Sequence, residues 1–319
     1  MPTVSVVNQT SASRCRGSGV MRAESAAMGI RDLVTFVWRH PLNAPQRAAA
    51  LARVARWQLA SHVLGMPVAV PFVDGTSLLV SKGMKGATGN WYCGLHDFRD
   101  MAFVLHFLRP TDRFLDVGAN VGSYTILAGA TGASVTSVEP IPQTVEHLRR
   151  NVALNNLGAR VRIEQCGLSD RIDSRRFSSD EDTTNHVLLD DEVSTSAVSI
   201  PMQTLDGIVG DDVPALIKID VEGHEAAVLR GANRTLQDKR LLAVITEMND
   251  SGDRHGRGNG HLSALMRVNG FAPFSYDPFA RTLVDPSHAD ANVVFVKDKA
   301  AVEERVRTSR RYHLINGDI

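Results

Sequence analysis

The chain has 319 residues, 43% hydrophobic and 22% charged, with 35 Lys and Arg against 35 Asp and Glu and so a formal net charge of zero. That balance argues against a broad electrostatic grip on nucleic acid or on an anionic membrane, and no apolar run approaches the ~20 residues of a membrane span. Three cysteines (Cys15, Cys93, Cys166), odd in number and in no paired spacing, suit a reducing cytosol better than a disulfide framework or a zinc site.

The length suggests one substantial core domain with an extension. No basic start followed by an apolar core marks a secretory signal, so a cytoplasmic location is expected. Residues 1–30, rich in Ser, Arg and Gly, are read as a mobile tail. Residues 31–94 form a helix-plus-hairpin extension. Asn43 to Val63 has helical spacing, with Arg47, Arg53 and Arg56 on a solvated face. Pro67–Val73 and Ser77–Val80 flank Asp74-Gly75 as a hairpin. The glycine-rich stretch Gly83–Gly94, with Trp91 and Tyr92 looking exposed, is expected to be a loop, either closing over a pocket or serving as a surface connector with buried aromatic anchors.

The main domain is placed at residues 95–298. A helix over His96–Leu108 stops at Arg109-Pro110. Strands are predicted at 113–117, 134–138, 161–165, 215–221, 241–247, 272–276 and 292–296, and helices at 121–130, 143–154, 225–236 and 262–268. The polar stretch from Asp170 to Val198, which holds Asn185 and His186, reads as an inserted loop or short hairpin. Residues 299–319 are charged and expected to be peripheral. Alternating strands and helices imply an α/β, doubly wound and mostly parallel sheet, Rossmann-like, covered on both faces.

Ligands of such sheets bind at the carboxyl ends of the strands, near the point where strand order reverses. Five predicted strand ends carry polar residues or glycine: Asp116–Gly122, Glu139, Gln165–Asp170, Asp220–Glu225 and Glu247–Asp250. Gly118 permits a tight loop on which a ligand can lie against the main chain. Glu139, about 23 residues beyond Asp116, stands where a carboxylate takes the hydroxyls of a ribose; a helix-start carboxylate is the plainer alternative. A dinucleotide loop would read G-x-G-x-x-G, but Ala119 replaces its middle glycine. S-adenosyl-L-methionine, which has a ribose and adenine but no pyrophosphate, fits better. An NAD-dependent oxidoreductase and a non-catalytic S-adenosylmethionine-binding scaffold are the competing readings.

Residues 217–225 read Ile-Lys-Ile-Asp-Val-Glu-Gly-His-Glu, which would put Lys218, Asp220 and Glu222 on one strand face. Together with the Asp116 loop, Glu139-Pro140, Gln203-Thr204-Leu205-Asp206 and Val228-Leu229-Arg230-Gly231-Ala232, this stretch resembles the FkbM family of S-adenosylmethionine-dependent methyltransferases over residues 90 to 298. The resemblance implies a class I methyltransferase domain, a seven-stranded sheet whose last strand is antiparallel, and O-methylation of a hydroxyl. It implies that Asp116, Gly118, Asn120 and Gly122 cradle the methionine end, that Glu139 holds the ribose, that Gln165 to Gly167 and Ser169-Asp170 lie near adenine, and that Asp220 sits near the transferring methyl. Tyr124 joins Asn120 as a further contact.

His224 or Asp220 is the expected proton acceptor, with Glu222 and Glu247 orienting it or the acceptor. Each has a structural alternative: His224 as a helix cap, Glu222 as an ion-pair partner of Lys218. His186 is a second candidate base. Asp220, Glu222, His224 and Glu247 have no recognised metal spacing, so no metal is expected. A small-molecule or glycan acceptor is implied, whether sugar, glycolipid or secondary metabolite.

Overall fold

The computed structural model describes residues 29–64, 66–178, 197–248, 259–286 and 292–319. The expected tail up to residue 28, the candidate base His186 with Asn185, and Asp250 lie outside the described residues. The extension comprises α1 (Ile30–Arg39), a short 3-10 segment, α2 (Arg47–Leu64), the antiparallel pair β1 (Val68–Pro71) and β2 (Ser77–Val80), and α3 (Lys85–Cys93). Then follow α4 (Phe98–Phe107), β3 (Arg113–Val117), α5 (Ser123–Ala130), β4 (Ser134–Val138), α6 (Pro142–Leu154) and β5 (Val161–Glu164). A side sheet contains β6 (Gly167–Ser169), β7 (Asp173–Ser178) and β8 (Ala197–Thr204). The rest of the domain is α7 (Leu205–Val209), β9 (Leu216–Ile219), α8 (Glu225–Arg230), α9 (Asn233–Gln237), β10 (Ala243–Glu247), α10 (Asn259–Val268), β11 (Ala272–Asp277), β12 (Thr282–Val284) and β13 (Asn292–Val296). The chain closes with α11 (Lys299–Arg307) and the ribbon β14 (His313–Leu314) and β15 (Gly317–Asp318).

The central sheet has the order β5-β4-β3-β9-β10-β13-β11-β12. The pairs from β5 through β10 are parallel, and β13 runs antiparallel to both β10 and β11. This is the doubly wound sheet that the alternation predicts, with the antiparallel last strand that the family resemblance implies, enlarged at one edge by β12, a hairpin partner of β11. Strand order reverses between β3 and β9, and the chemistry of the strand ends gathers there. Apolar clusters cover both faces. One joins Phe103, Ile126 and Leu148 to Val37, Trp57 and Leu78 of the extension, and the other packs Val228, Leu236 and Met266 against β9 and β10.

The extension is tied on by polar groups as well. Asn151 of α6 accepts the Leu79 N–H and donates to the Val121 carbonyl, both at 2.7 Å, so one side chain connects the hairpin to the loop after β3. Asn155 brackets Ser77 with two 2.8 Å bonds.

Four expectations are corrected. Gly83–Gly94 is mostly helix α3 and not a loop, while Tyr92 is buried and Trp91 half-buried, as the reading with aromatic anchors has it. Gly89 serves close packing, since a Cβ there would lie 2.2 Å from His96 Nδ1. Arg53 is buried, donating to Asn43 Oδ1 (3.1 Å) and the Tyr92 carbonyl (2.9 Å), because the far side of α2 is covered by α3. The helix expected at 225–236 breaks at Gly231, where a Cβ would meet the Ser169 carbonyl at 2.2 Å. The closing segment is docked, not peripheral: Val302, Val306 and Tyr312 are buried, and Arg305 binds the Phe107 carbonyl (2.8 Å) and Asp112.

Removing the Arg53 guanidinium deletes two charge-assisted hydrogen bonds and leaves a buried void, while the Tyr92 carbonyl keeps the Asn43 amide (3.3 Å) and Asn43 Oδ1 keeps the Asn316 amide (3.1 Å). Arg53→Ala is therefore expected to lower stability by roughly 2 to 4 kcal/mol in urea unfolding; an unchanged midpoint would mean that α2 and α3 hold together without it.

Candidate active site

β3 ends in a loop whose backbone is dictated by its neighbours. The Gly118 and Ala119 N–H groups both reach the Val138 carbonyl at 3.0 Å. Gly118 has φ +77°, and a Cβ there would lie 1.9 Å from the Asp220 carbonyl, so no side chain is tolerated where the loop touches the end of β9. Asn120 also adopts positive φ (50°), which asparagine accepts more readily than most residues. Its N–H donates to Glu139 Oε2 at 3.0 Å, and its side-chain oxygen accepts the Val121 N–H at 2.7 Å.

Two clefts open at this point. The first, about 750 Å³, lies over the ends of β3, β4 and β5 and is lined by Gly118, Asn120, Glu139, Pro140, the stretch Cys166–Leu168, Phe177, the stretch Asp220–Glu222 and His224. The second, about 770 Å³, lies between α3 and the β3 loop, with Asn90, His96, Asp97, Tyr124 and Lys218 on its walls. Gly118, Asn120 and Asp220 belong to both.

The electrostatics centre on Lys218. Its side chain is buried, 2.8 Å from Asp220 and 4.4 Å from the centroid of the Tyr124 ring. Burial works against its charge, but Asp220 and Asp116 outweigh that and hold its pKa above the ordinary lysine value. Burial pushes the Asp116 carboxyl up to about 6, against the pull of Lys218 and of the Thr125 hydroxyl that donates to it at 2.7 Å. Burial likewise pushes Glu139 up to about 7, opposed by the Ile141 and Asn120 N–H groups that bond to its two oxygens.

Beyond β9 the expected face of three charges does not form. The strand ends at Ile219, Asp220 folds back onto Lys218, and Glu222 turns outward with φ +51° to an exposed place on the rim. Lys218 is thus paired with Asp220, not with Glu222. Glu225 closes the turn by accepting the Val221 (3.2 Å) and Gly223 (3.1 Å) N–H groups. His224 occupies the N-cap of α8, without a side-chain cap bond. Its Nε2 lies 3.2 Å from the Ser169 hydroxyl, which donates to Asp170 and so accepts from the imidazole.

Of the residues singled out in the sequence, Gly118, Asn120, Glu139, Gly167, Asp220, Glu222 and His224 share the first cleft, and Tyr124 joins the second. Asp116 lies buried behind the loop, Gly122 abuts Leu148, and Gln165 is exposed off the cleft. Asp170 is engaged by Arg230 at 3.4 Å. Glu247, half-buried at the end of β10, lines neither cleft. Among the described residues no three His, Cys, Asp or Glu side chains gather as a metal ion would need. The sequence reading missed Asn90, His96 and Asp97; Gly89 and Gly94 beside them were their only local signal.

Residues 116–273 match the family model of the methyltransferase FkbM domain. The chain belongs to the FkbM methyltransferase family. It is 28% identical to 31-O-demethyl-FK506 methyltransferase FkbM of Streptomyces tacrolimicus, over 54% of this chain and 78% of that protein. It is 30% identical to the hexuronic acid methyltransferase AglP of Haloferax volcanii, over 42% of this chain and 55% of the relative. A crystal structure of methyltransferase FkbM from Methylobacillus flagellatus is similar with a TM-score of 0.41 and 17% identity, over 78% of this chain and 60% of that one. Among the described residues no helix is long and apolar enough to cross a membrane.

Asp116 and Glu139 hold protons in the folded state that the unfolded chain has released by about pH 4 to 4.5. Stability from these two groups is therefore lost as pH rises from about 4 through 7. In the ligand-free protein, Asp116→Asn with Glu139→Gln is expected to flatten the fall of Tm across that window; a slope identical to that of the unmodified chain would count against both shifts.

Proposed function

We propose that this FkbM-family methyltransferase moves the methyl group of S-adenosyl-L-methionine to a hydroxyl oxygen of a sugar-like or secondary-metabolite acceptor. The observation that carries this is the meeting of two clefts at Gly118, Asn120 and Asp220, at the switch point of the sheet. A two-substrate transfer needs such a junction, where a donor in one cleft faces an acceptor in the other.

The residues present fit that donor. Glu139 offers a buried carboxylate whose oxygens each keep a lone pair beyond their backbone bonds, which suits a ribose diol. Val138, Leu168 and Phe177 supply an apolar wall for a planar base. Gly118 lets the loop press against the Asp220 carbonyl and so fixes the junction, and Ala119 stands where a pyrophosphate-binding loop would need glycine. When bound, S-adenosylmethionine supplies an electrophilic methyl group on a sulfonium.

The protein's own share is mainly placement. Holding two reactants in line can supply ~7 to 11 kcal/mol of the barrier, more than the roughly 100- to 10,000-fold from proton removal. Asp220 is engaged by the Lys218 ammonium at 2.8 Å, and its place at the junction suits orientation. His224, bonded to Ser169 on the first cleft, forms a wall of the donor site, and Glu222 lies on the rim. The relatives support the acceptor class by name only, one specifying an oxygen and the other a hexuronic acid.

Titration calorimetry with S-adenosylhomocysteine and with NAD tests the donor. The first should bind and the second should not. Glu139→Gln should weaken binding at least tenfold at pH 8. Because the ionised carboxylate accepts the diol, affinity should rise from pH 6 to 8 in the unmodified protein and stay flat in the variant. Tight NAD binding, or none of either ligand, would defeat the assignment. His224→Ala is expected to weaken S-adenosylhomocysteine binding several-fold, and unchanged affinity would return His224 to consideration as a proton acceptor.

A further inference from the structure

Resting on that reading, we infer that the second cleft seats the acceptor and recognises a polyhydroxylated, sugar-like molecule through a hydroxyl clamped between His96 and Asp97. Three observations carry it. His96 Nε2 and Asp97 Oδ1 stand 4.0 Å apart, too far for a direct hydrogen bond. A hydroxyl oxygen fits between them at about 2.8 Å from each, the ordinary hydrogen-bond length.

The two groups also have complementary roles. His96 Nδ1 is buried with no hydrogen-bond partner among the described residues and lies against Gly89, where a Cβ would come within 2.2 Å. A proton at Nδ1 would be stranded there, so it resides on Nε2, which donates into the gap. Asp97 receives the Tyr124 hydroxyl on Oδ2 at 3.2 Å, which leaves Oδ1 to accept. One donor and one acceptor facing a single gap is the pattern that an alcohol, itself donor and acceptor, satisfies.

The clamp is built and reachable. Phe36 of α1 packs edge-on against the His96 ring at 5.2 Å, and Asn90 Oδ1 of α3 accepts the His96 backbone N–H at 2.7 Å. The two side chains remain 30% and 39% exposed, so a polar ligand can reach them from solvent. His96 and Asp97 and their supports Phe36, Gly89 and Asn90 precede residue 116, outside the segment shared with the family model, and Tyr124, which bonds Asp97, lies within it. The extension supports, and the link from α3 to α4 supplies, the groups that select the acceptor, while the segment shared with the family holds the donor.

Saturation-transfer NMR tests this on the full chain loaded with S-adenosylhomocysteine, using D-glucose, D-glucuronic acid and methyl α-D-glucopyranoside at millimolar concentration. At least one sugar should show saturation transfer with the unmodified protein. The signal should fall at least fivefold in His96→Ala, Asp97→Ala and Gly89→Ala, and His96→Gln, which keeps an N–H donor, should restore part of it. Calorimetry should show S-adenosylhomocysteine affinity within threefold of the unmodified value in Asp97→Ala and Asp97→Asn. Absence of signal from all three sugars on the loaded protein overturns the inference, as does signal indifferent to the variants. Loss of S-adenosylhomocysteine binding in both Asp97 variants would assign the cleft to the amino-acid end of the donor and also overturn it. Failure of the unmodified chain to bind S-adenosylhomocysteine would instead defeat the donor assignment.

Discussion

The closeness of Gly118 to the Asp220 carbonyl sets the geometry on which the site depends. Two parallel strands separate at their carboxyl ends, and here the loops leaving them are pressed together until only a hydrogen atom fits between. That contact brings the backbone of the first loop and the carboxylate of the second to one point. Both clefts take their common wall from it. A glycine at 118 is thus a constraint of tertiary contact as much as of φ.

Charge is arranged around the same point at some energetic risk. Lys218 is buried among Asp116, Asp220 and the face of Tyr124, and an unpaired ammonium there would cost several kcal/mol. Asp220 neutralises it while remaining half-exposed at the junction, so the pair anchors one oxygen to the protein and leaves the carboxylate at the rim. Asp116 reinforces the arrangement from behind and touches neither cleft. Its role is to stabilise the cation and, through Thr125 and Ser137, to join β3, α5 and β4.

The N-terminal extension is continuous with the domain in packing. Val37, Trp57 and Leu78 share an apolar cluster with Phe103 and Ile126, and Asn151 bonds both the hairpin and the loop after β3. A segment tied to the Val121 carbonyl cannot move without disturbing the site loop. This explains how residues outside the family segment, Asn90, His96 and Asp97 among them, come to line the second cleft beside the loop after β3.

Much of the fold was legible in the order of residues. β-branched runs and helical spacing located the strands and helices of the sheet, and the glycines of the loop after β3 with Glu139 marked the strand ends, because period and backbone freedom are local properties. Legibility failed where burial depends on a distant partner. Arg53 looked solvated because nothing in α2 announces that Asn43 and Tyr92 will enclose its guanidinium. Gly83–Gly94 looked like a loop because glycine is a poor helix former, whereas here its missing side chain admits the His96 ring. Lys218, Asp220 and Glu222 alternate in sequence, but the strand ends at Ile219 and only its neighbours decide which charge turns inward. The sequence by itself determined the alternating architecture, the family and the glycine loop after β3. The pairing of Lys218 with Asp220, the second cleft and the His96–Asp97 gap were decided only by tertiary structure, since each joins groups whose separation is set by packing and not by spacing along the chain.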